Sequence, residues 1–178
     1  MLDPVVSALI ALSGVLLFGS AVFTKIRAPS LFLTTLKEYR IVPSASVRLI
    51  GGLIGGAEFA VTAGLLWPDT RPVSAFTGAA LLLLYAGAIG VNLSRGRRDM
   101  DCGCGLQPRT ISGWMVVRNV FLAAALLLLL IPESHRGFRL MDLATIAGGL
   151  IVTSLLYASA DLLLGRTAPR PLFLMEPP

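Results

Sequence analysis

The charges of this chain are spaced so that five long stretches are left almost bare of them. Between Asp3 and Lys25 lie 21 uncharged residues, and between Arg48 and Asp69 lie 20 with Glu58 as the single charge. Pro72 to Ser94 carries no charge, Thr110 to Pro132 carries only Arg118, and Leu143 to Ala160 carries none. A bilayer core of about 30 Å is crossed by roughly 20 residues of helix, so each stretch is long enough to span it. The last is the shortest, and it is expected to continue through Asp161 towards Leu164, with Gly165-Arg166 as its stop. The expected fold is all-α: a polytopic membrane helix bundle with a four-helix core and a fifth transmembrane helix. The spans are expected at about 4–24, 49–68, 72–94, 110–132 and 143–164, in one transmembrane domain over 1–165. A proline-rich tail over 166–178 follows.

Composition excludes the obvious alternatives. Of the 178 residues 55% are hydrophobic and 14% charged, with a mean hydropathy of +0.79, whereas soluble domains carry about 25% charged residues. A disordered chain, a nucleic-acid module and an ordinary soluble enzyme are ruled out, and the partner along the spans is membrane lipid. Pro29 and Pro43 fall in the first connection, Pro68 and Pro72 in the second, Pro108 in the third and Pro132 in the fourth, where helices start or stop. The runs are rich in leucine and alanine and lack the alternation of a strand. The first run has no basic segment ahead of it, which favours a retained helix over a cleaved signal.

Basic residues set the expected orientation. Lys25, Arg27, Lys37, Arg40 and Arg48 lie in the first connection, Arg95, Arg97, Arg98 and Arg109 in the third, and Arg166 and Arg170 in the tail. That places eleven on one side of the membrane against three on the other, Arg71, Arg136 and Arg139. The positive-inside rule puts connections one and three in the cytoplasm. Whatever the orientation, Lys25–Tyr39 and the third connection share a face.

Several polar residues interrupt the spans. Gly51 and Gly55, like Gly52 and Gly56, have the four-residue spacing that lets helices approach closely, and Glu58 lies on the same stripe. Glu58 is therefore expected to point into the bundle. Gly78, Tyr85 and Asn92, at seven-residue intervals, make an inward stripe on the next span. Arg118 and Asn119 sit inside the fourth, with Trp114 one turn before Arg118 and in reach of a cation–π contact. Two readings stand side by side: Glu58 and Arg118 pair across helices and fix packing, or they line a small hydrated cavity. His135 lies in a connection, away from the cysteine face, and reads as ordinary loop.

Both cysteines lie in the third connection, in "RGRRDMDCGCGLQPR". Cys102 and Cys104 are close enough for a strained, exchange-prone disulfide. Arg95, Arg97, Arg98 and Arg109 favour the thiolate there, while Asp99 and Asp101 oppose it. Three readings apply to the pair: thiol–disulfide chemistry, two incidental loop cysteines, or a metal site. Two thiolates fill only half of a tetrahedral site, although copper(I) asks for fewer ligands. No cofactor motif accompanies them, and neither a cofactor nor a metal is expected.

"FGSAVFTKIRAPSLFLTTLKEYRIVP", the glutamate of the second span, "NLSRGRRDMDCGCG" and "ISGWMVVRNVFLAAALLLL" together resemble the methylamine utilisation protein MauE family. That family belongs to a wider DoxX-like group of four-helix membrane proteins. The matching positions, between about Phe18 and Leu130, include Lys25, Phe32, Tyr39, Pro43, Glu58, Arg95-Gly96, Cys102 to Gly105 and Arg118-Asn119. Many relatives place a phenylalanine after the cysteine motif where this chain has Leu106. The resemblance implies a multi-pass protein of the bacterial inner membrane, needed to make active methylamine dehydrogenase. It would serve processing, transport or disulfide maturation of the cysteine-rich beta subunit, beside a periplasmic thioredoxin-like partner, MauD. Cys102 and Cys104 would then be the exchanging thiols, with Lys25, Tyr39, Glu58, Arg118 and Asn119 as binding residues. Direct action on a periplasmic client asks for cysteines outside, against the charge count. With the cysteines inside, the loop would relay redox equivalents from a cytosolic thiol. The alternative is a non-redox transporter or assembly scaffold that works through its polar cavity. A small-molecule membrane oxidoreductase has no motif in its favour, and a quinone-linked disulfide generator would usually need a second cysteine pair.

Overall fold

The computed structural model describes residues 1–97, 111–134, 136–137 and 139–164. Among them are six α-helices: α1 (Pro4–Arg27), α2 (Pro29–Glu38), α3 (Val47–Gly64), α4 (Arg71–Ser94), α5 (Gly113–Leu127) and α6 (Leu140–Leu164). A 3₁₀ turn, Ser44–Ser46, leads into α3, and another, Leu128–Leu130, ends α5. No strand occurs among the described residues. All the helices but α2 are long and apolar enough to cross a membrane, counting α3 from Ser44 and α5 to Leu130. The chain is a multi-pass membrane protein.

Local chemistry sets the helix ends. Asp3 caps α1, its Oδ1 accepting from the Val5 N–H at 2.8 Å, and Pro4 follows where no donor is needed. Pro29 cannot extend the α1 hydrogen-bond ladder, so α1 stops at Arg27 and the chain restarts as α2. At the end of α4, Gly96 takes a positive φ of 72°. Its N–H bonds to Leu93 O, and the Arg97 N–H to Asn92 O, which closes two of the carbonyls that a helix end leaves open.

The core lies between α1, α3, α4 and α5, where Phe18, Val61, Leu65, Ala79, Leu82, Ala123 and Leu126 pack together. Close approach falls on Gly78 and Gly14 and, within the α3 stripe, on Gly51 alone. A Cβ on Gly78 would stand 3.1 Å from each of Leu126, Phe18 and Val61, and one on Gly14 would stand 2.9 Å from Leu65. Gly52, Gly55 and Gly56 meet nothing within 4 Å, and Gly51 faces Leu33 and Phe32 of α2. The expected helix–helix seam along the α3 glycines is therefore corrected: only Gly51 is covered, and by the short α2. The inward stripe of α4 holds, with Gly78 and Asn92 buried.

α6 packs outside this core, mainly along α1, and buries only Ile146. Expected as the shortest span, it is the longest helix at 25 residues. At the end remote from the third connection, Leu2 pairs with the chain at Pro132 and Ser134. Arg71 there bridges Glu133 at 2.8 Å, and Ser7 also bonds to Glu133.

Candidate functional site

Glu58 points into the bundle from α3 and is fully buried. Its partner is Lys25, from the last turn of α1, with Nζ 2.9 Å from Oε1 and 2.8 Å from Oε2. The second contact is an ion pair without hydrogen-bond geometry. The Tyr85 hydroxyl of α4 donates to Oε1. Lys25 also lies over the rings of Phe32, at 4.8 Å, and Tyr85, at 5.9 Å. Three helices and the short α2 therefore meet at one ammonium–carboxylate pair.

Arg118 on α5 makes a second pair. Its Nη1 stands 2.8 Å from Asp161 Oδ1 of α6, and its guanidinium lies 5.5 Å from the Tyr157 ring. Asn119, buried beside it, accepts a long contact of 3.5 Å from Arg118 Nη2. The expected Glu58–Arg118 pair is thus replaced by two pairs, each with a different partner. The ring facing Arg118 is that of Tyr157, where the sequence pointed to Trp114. Asp161 and Tyr157, one helical turn apart on α6, were not among the expected site residues. A lone acid in an otherwise apolar run was the available signal.

Both pairs line one cavity of about 490 Å³, together with Tyr39, Tyr85 and Asn119. The five expected binding residues, Lys25, Tyr39, Glu58, Arg118 and Asn119, all contribute to its wall. Glu58 and Arg118 are each paired across helices, with partners other than one another, and each also lines the cavity. Taking charges out of water costs several kcal/mol per ion, offset only where partners are close and well placed. Lys25 and Glu58, 12% and 0% exposed, meet that condition.

Cys102 and Cys104 lie outside the described residues, as do Arg98, Asp99, Asp101, Arg109, His135 and the tail. The chain on either side of the cysteine segment is described. Arg97 Nη1 donates to Glu38 O at 3.0 Å, which ties the end of α4 to the end of α2. Ile111 and Met115 pack with Tyr39 and Ile89 in a buried cluster, and Tyr39, Ile89 and Met115 also line the cavity. The segment therefore leaves and rejoins the fold beside that end of the cavity. No group of three or more metal-ligating side chains occurs among the described residues.

A bundle of membrane-spanning helices enclosing a charge-paired polar cavity defines a class: integral membrane proteins with a buried polar site. The comparisons narrow it. The family model described as "Methylamine utilisation protein MauE" matches residues 3–132. The chain is 31% identical over 172 residues to a "Methylamine utilization protein MauE" of Methylophilus methylotrophus, covering 94% of this chain and 90% of that one. It is 38% identical over 162 residues to the protein of that name from Paracoccus versutus, covering 87% and 85%. No solved structure gives a significant match. The chain belongs to the MauE family, which is involved in methylamine utilisation.

Proposed function

We propose that the chain is an inner-membrane accessory protein that matures the methylamine dehydrogenase beta subunit, or a similar periplasmic client, by thiol–disulfide exchange at Cys102 and Cys104. With the cysteines on the cytoplasmic side, the loop exchanges with a cytosolic thiol and passes redox equivalents towards a periplasmic thioredoxin-like partner of the MauD kind. The observation that carries the reading is the anchoring of the cysteine segment. Arg97 is tied to Glu38 and Ile111 is packed with Tyr39, so the described residues on both sides of the two-cysteine segment are anchored to the fold. Lys25, Tyr39, Glu58, Arg118 and Asn119 form the binding site beneath it.

The test replaces one cysteine at a time. Cys102→Ala or Cys104→Ala leaves a thiol that can attack but no neighbour to resolve the mixed disulfide. One of the two should accumulate a reductant-sensitive adduct with a thioredoxin-like protein, and the double variant should not. Cys104, further from Asp99 and Asp101, is the expected nucleophile. The second reading, a non-redox transporter or scaffold, draws on the cavity and its two charge pairs. Full client maturation by the Cys102→Ser/Cys104→Ser protein would establish that reading and end the redox one.

A further inference from the structure

The cavity has a chemistry of its own. It lies at the depth of the membrane-spanning helices and, at about 490 Å³, has the size of a small-molecule site. Each cation of its wall is matched by a carboxylate, Lys25 by Glu58 and Arg118 by Asp161. The wall is therefore formally neutral, and an anionic amphiphile gains no net attraction there. Aromatic rings of Phe32, Tyr85 and Tyr157 share the wall with aliphatic side chains such as Leu81 and Ile89. Hydrogen-bond donors stand in two places on different helices: Lys25, whose ammonium has protons beyond the one given to Glu58, and Arg118 with Asn119.

We propose that this cavity binds a lipid-soluble quinone. Such a molecule is neutral, flat and tailed, with a carbonyl acceptor at each of two opposite ring edges. The aromatic side chains suit its ring, the two donor groups its carbonyls, and the aliphatic side chains the start of its tail. The redox step rests on the reading proposed above. The Cys102–Cys104 dithiol gives up two electrons and two protons as its S–S bond forms. The quinone takes the two electrons, and a proton on each oxygen, to become the hydroquinone. One cysteine pair then suffices, since the quinone restores the disulfide that a thiol partner on the same side reduces. A hydrogen-bonded cluster of Glu58, Tyr85 and Lys25 at one donor group provides exchangeable protons beside a carbonyl.

The experiment uses the full chain in lipid nanodiscs, irradiated with an azido-substituted decylbenzoquinone and mapped by peptide mass spectrometry. Label is expected on the cavity-lining segments of α4 and α5, and should be lost with excess unlabelled decylbenzoquinone. Ala88→Phe, which puts a ring into the cavity, should reduce labelling to background. Ala60→Phe, on an exposed position of α3, should leave it unchanged. The Cys102→Ser/Cys104→Ser protein should label like the unaltered chain. Binding is thereby read apart from the thiols, while the adduct-trapping experiment decides the exchange reading separately. Label confined to outward-facing residues such as Phe121 and Leu155 would overturn the proposal. So would label displaced by oleate but not by decylbenzoquinone. Mapping on the unaltered protein decides between these outcomes even where Ala88→Phe does not insert.

Discussion

Glu58 is the residue on which the interior turns. It is fully buried, takes its charge partner from α1 and its hydroxyl donor from α4. Glu58→Gln keeps size and hydrogen bonding but leaves the Lys25 ammonium in the bundle without its counter-charge. Breaking a buried pair on one side costs about 3–5 kcal/mol, so this variant should show a clear fall in thermal stability in detergent and in membrane yield. Adding Lys25→Met should recover part of that loss, since removing both partners spares the buried charge. Recovery with Arg118→Leu in place of Lys25→Met would contradict the pairing described here. A lone glutamate in a span announces an inward-facing carboxylate, and that much was legible. Which of two basic residues it chooses was not, because Lys25 and Arg118 lie on different helices and only packing brings one of them within 3 Å.

At the scale of elements, the glycine-rich α3 behaves differently from its sequence signature, whereas α1 starts where its capping residues place it. Spacing alone marks small residues, but close approach depends on what lies opposite. Gly78→Leu should cost about 1–3 kcal/mol through overpacking against Phe18, Val61 and Leu126, read as a lowered unfolding midpoint. Gly55→Ala, with open space around it, should be neutral or stabilising in the same assay. α1 begins on Asp3, whose carboxyl is held below the usual carboxylate range by the Val5 N–H first and the Arg136 guanidinium second. A lowered folded-state value means the ionised cap stabilises the helix start at pH above the ordinary carboxylate value of about 3.9. That contribution should fade as pH falls through the lowered value and be absent in Asp3→Ala. Hydrogen exchange of the first α1 turn, followed against pH in both proteins, checks it. The short α2 was expected only as part of a connection. Its ten residues are too few to span a membrane, and burial of Thr35 with packing on α3 gives it its place.

The whole molecule has two unlike ends. One carries the N-terminus, with Arg71, Glu133 and Arg136 in ion pairs; the other carries α2 and the two chain ends that flank the cysteine segment. Basic residues gather at the second end, so that end should face the cytoplasm. A membrane-impermeant thiol reagent should then leave Cys102 and Cys104 unlabelled in intact cells and label them after permeabilisation. Labelling in intact spheroplasts would reverse the orientation and place the thiols directly before a periplasmic client. α6 joins this plan from outside the four-helix core, held to α5 by the Arg118–Asp161 pair. Asp161→Leu should therefore destabilise more than Asp161→Leu combined with Arg118→Met, as measured by unfolding in detergent.

The number of spans, their all-helical character, the shared face of the first and third connections, and the inward placement of Glu58 and Asn92 follow from the sequence alone. Each depends on local properties: run length against bilayer thickness, backbone groups that lipid cannot satisfy, and helical periodicity. The tertiary structure decided which charges pair, which glycines touch, and that Tyr157 and Asp161 of the outer helix join the cavity wall. Those outcomes depend on distances between residues far apart in the chain, 43 positions for Arg118 and Asp161 and 133 for Asp3 and Arg136. Helices of similar hydropathy can be arranged around one another in many ways. In lipid, where apolar burial between helices gives little drive, packing shape and buried charge select among them.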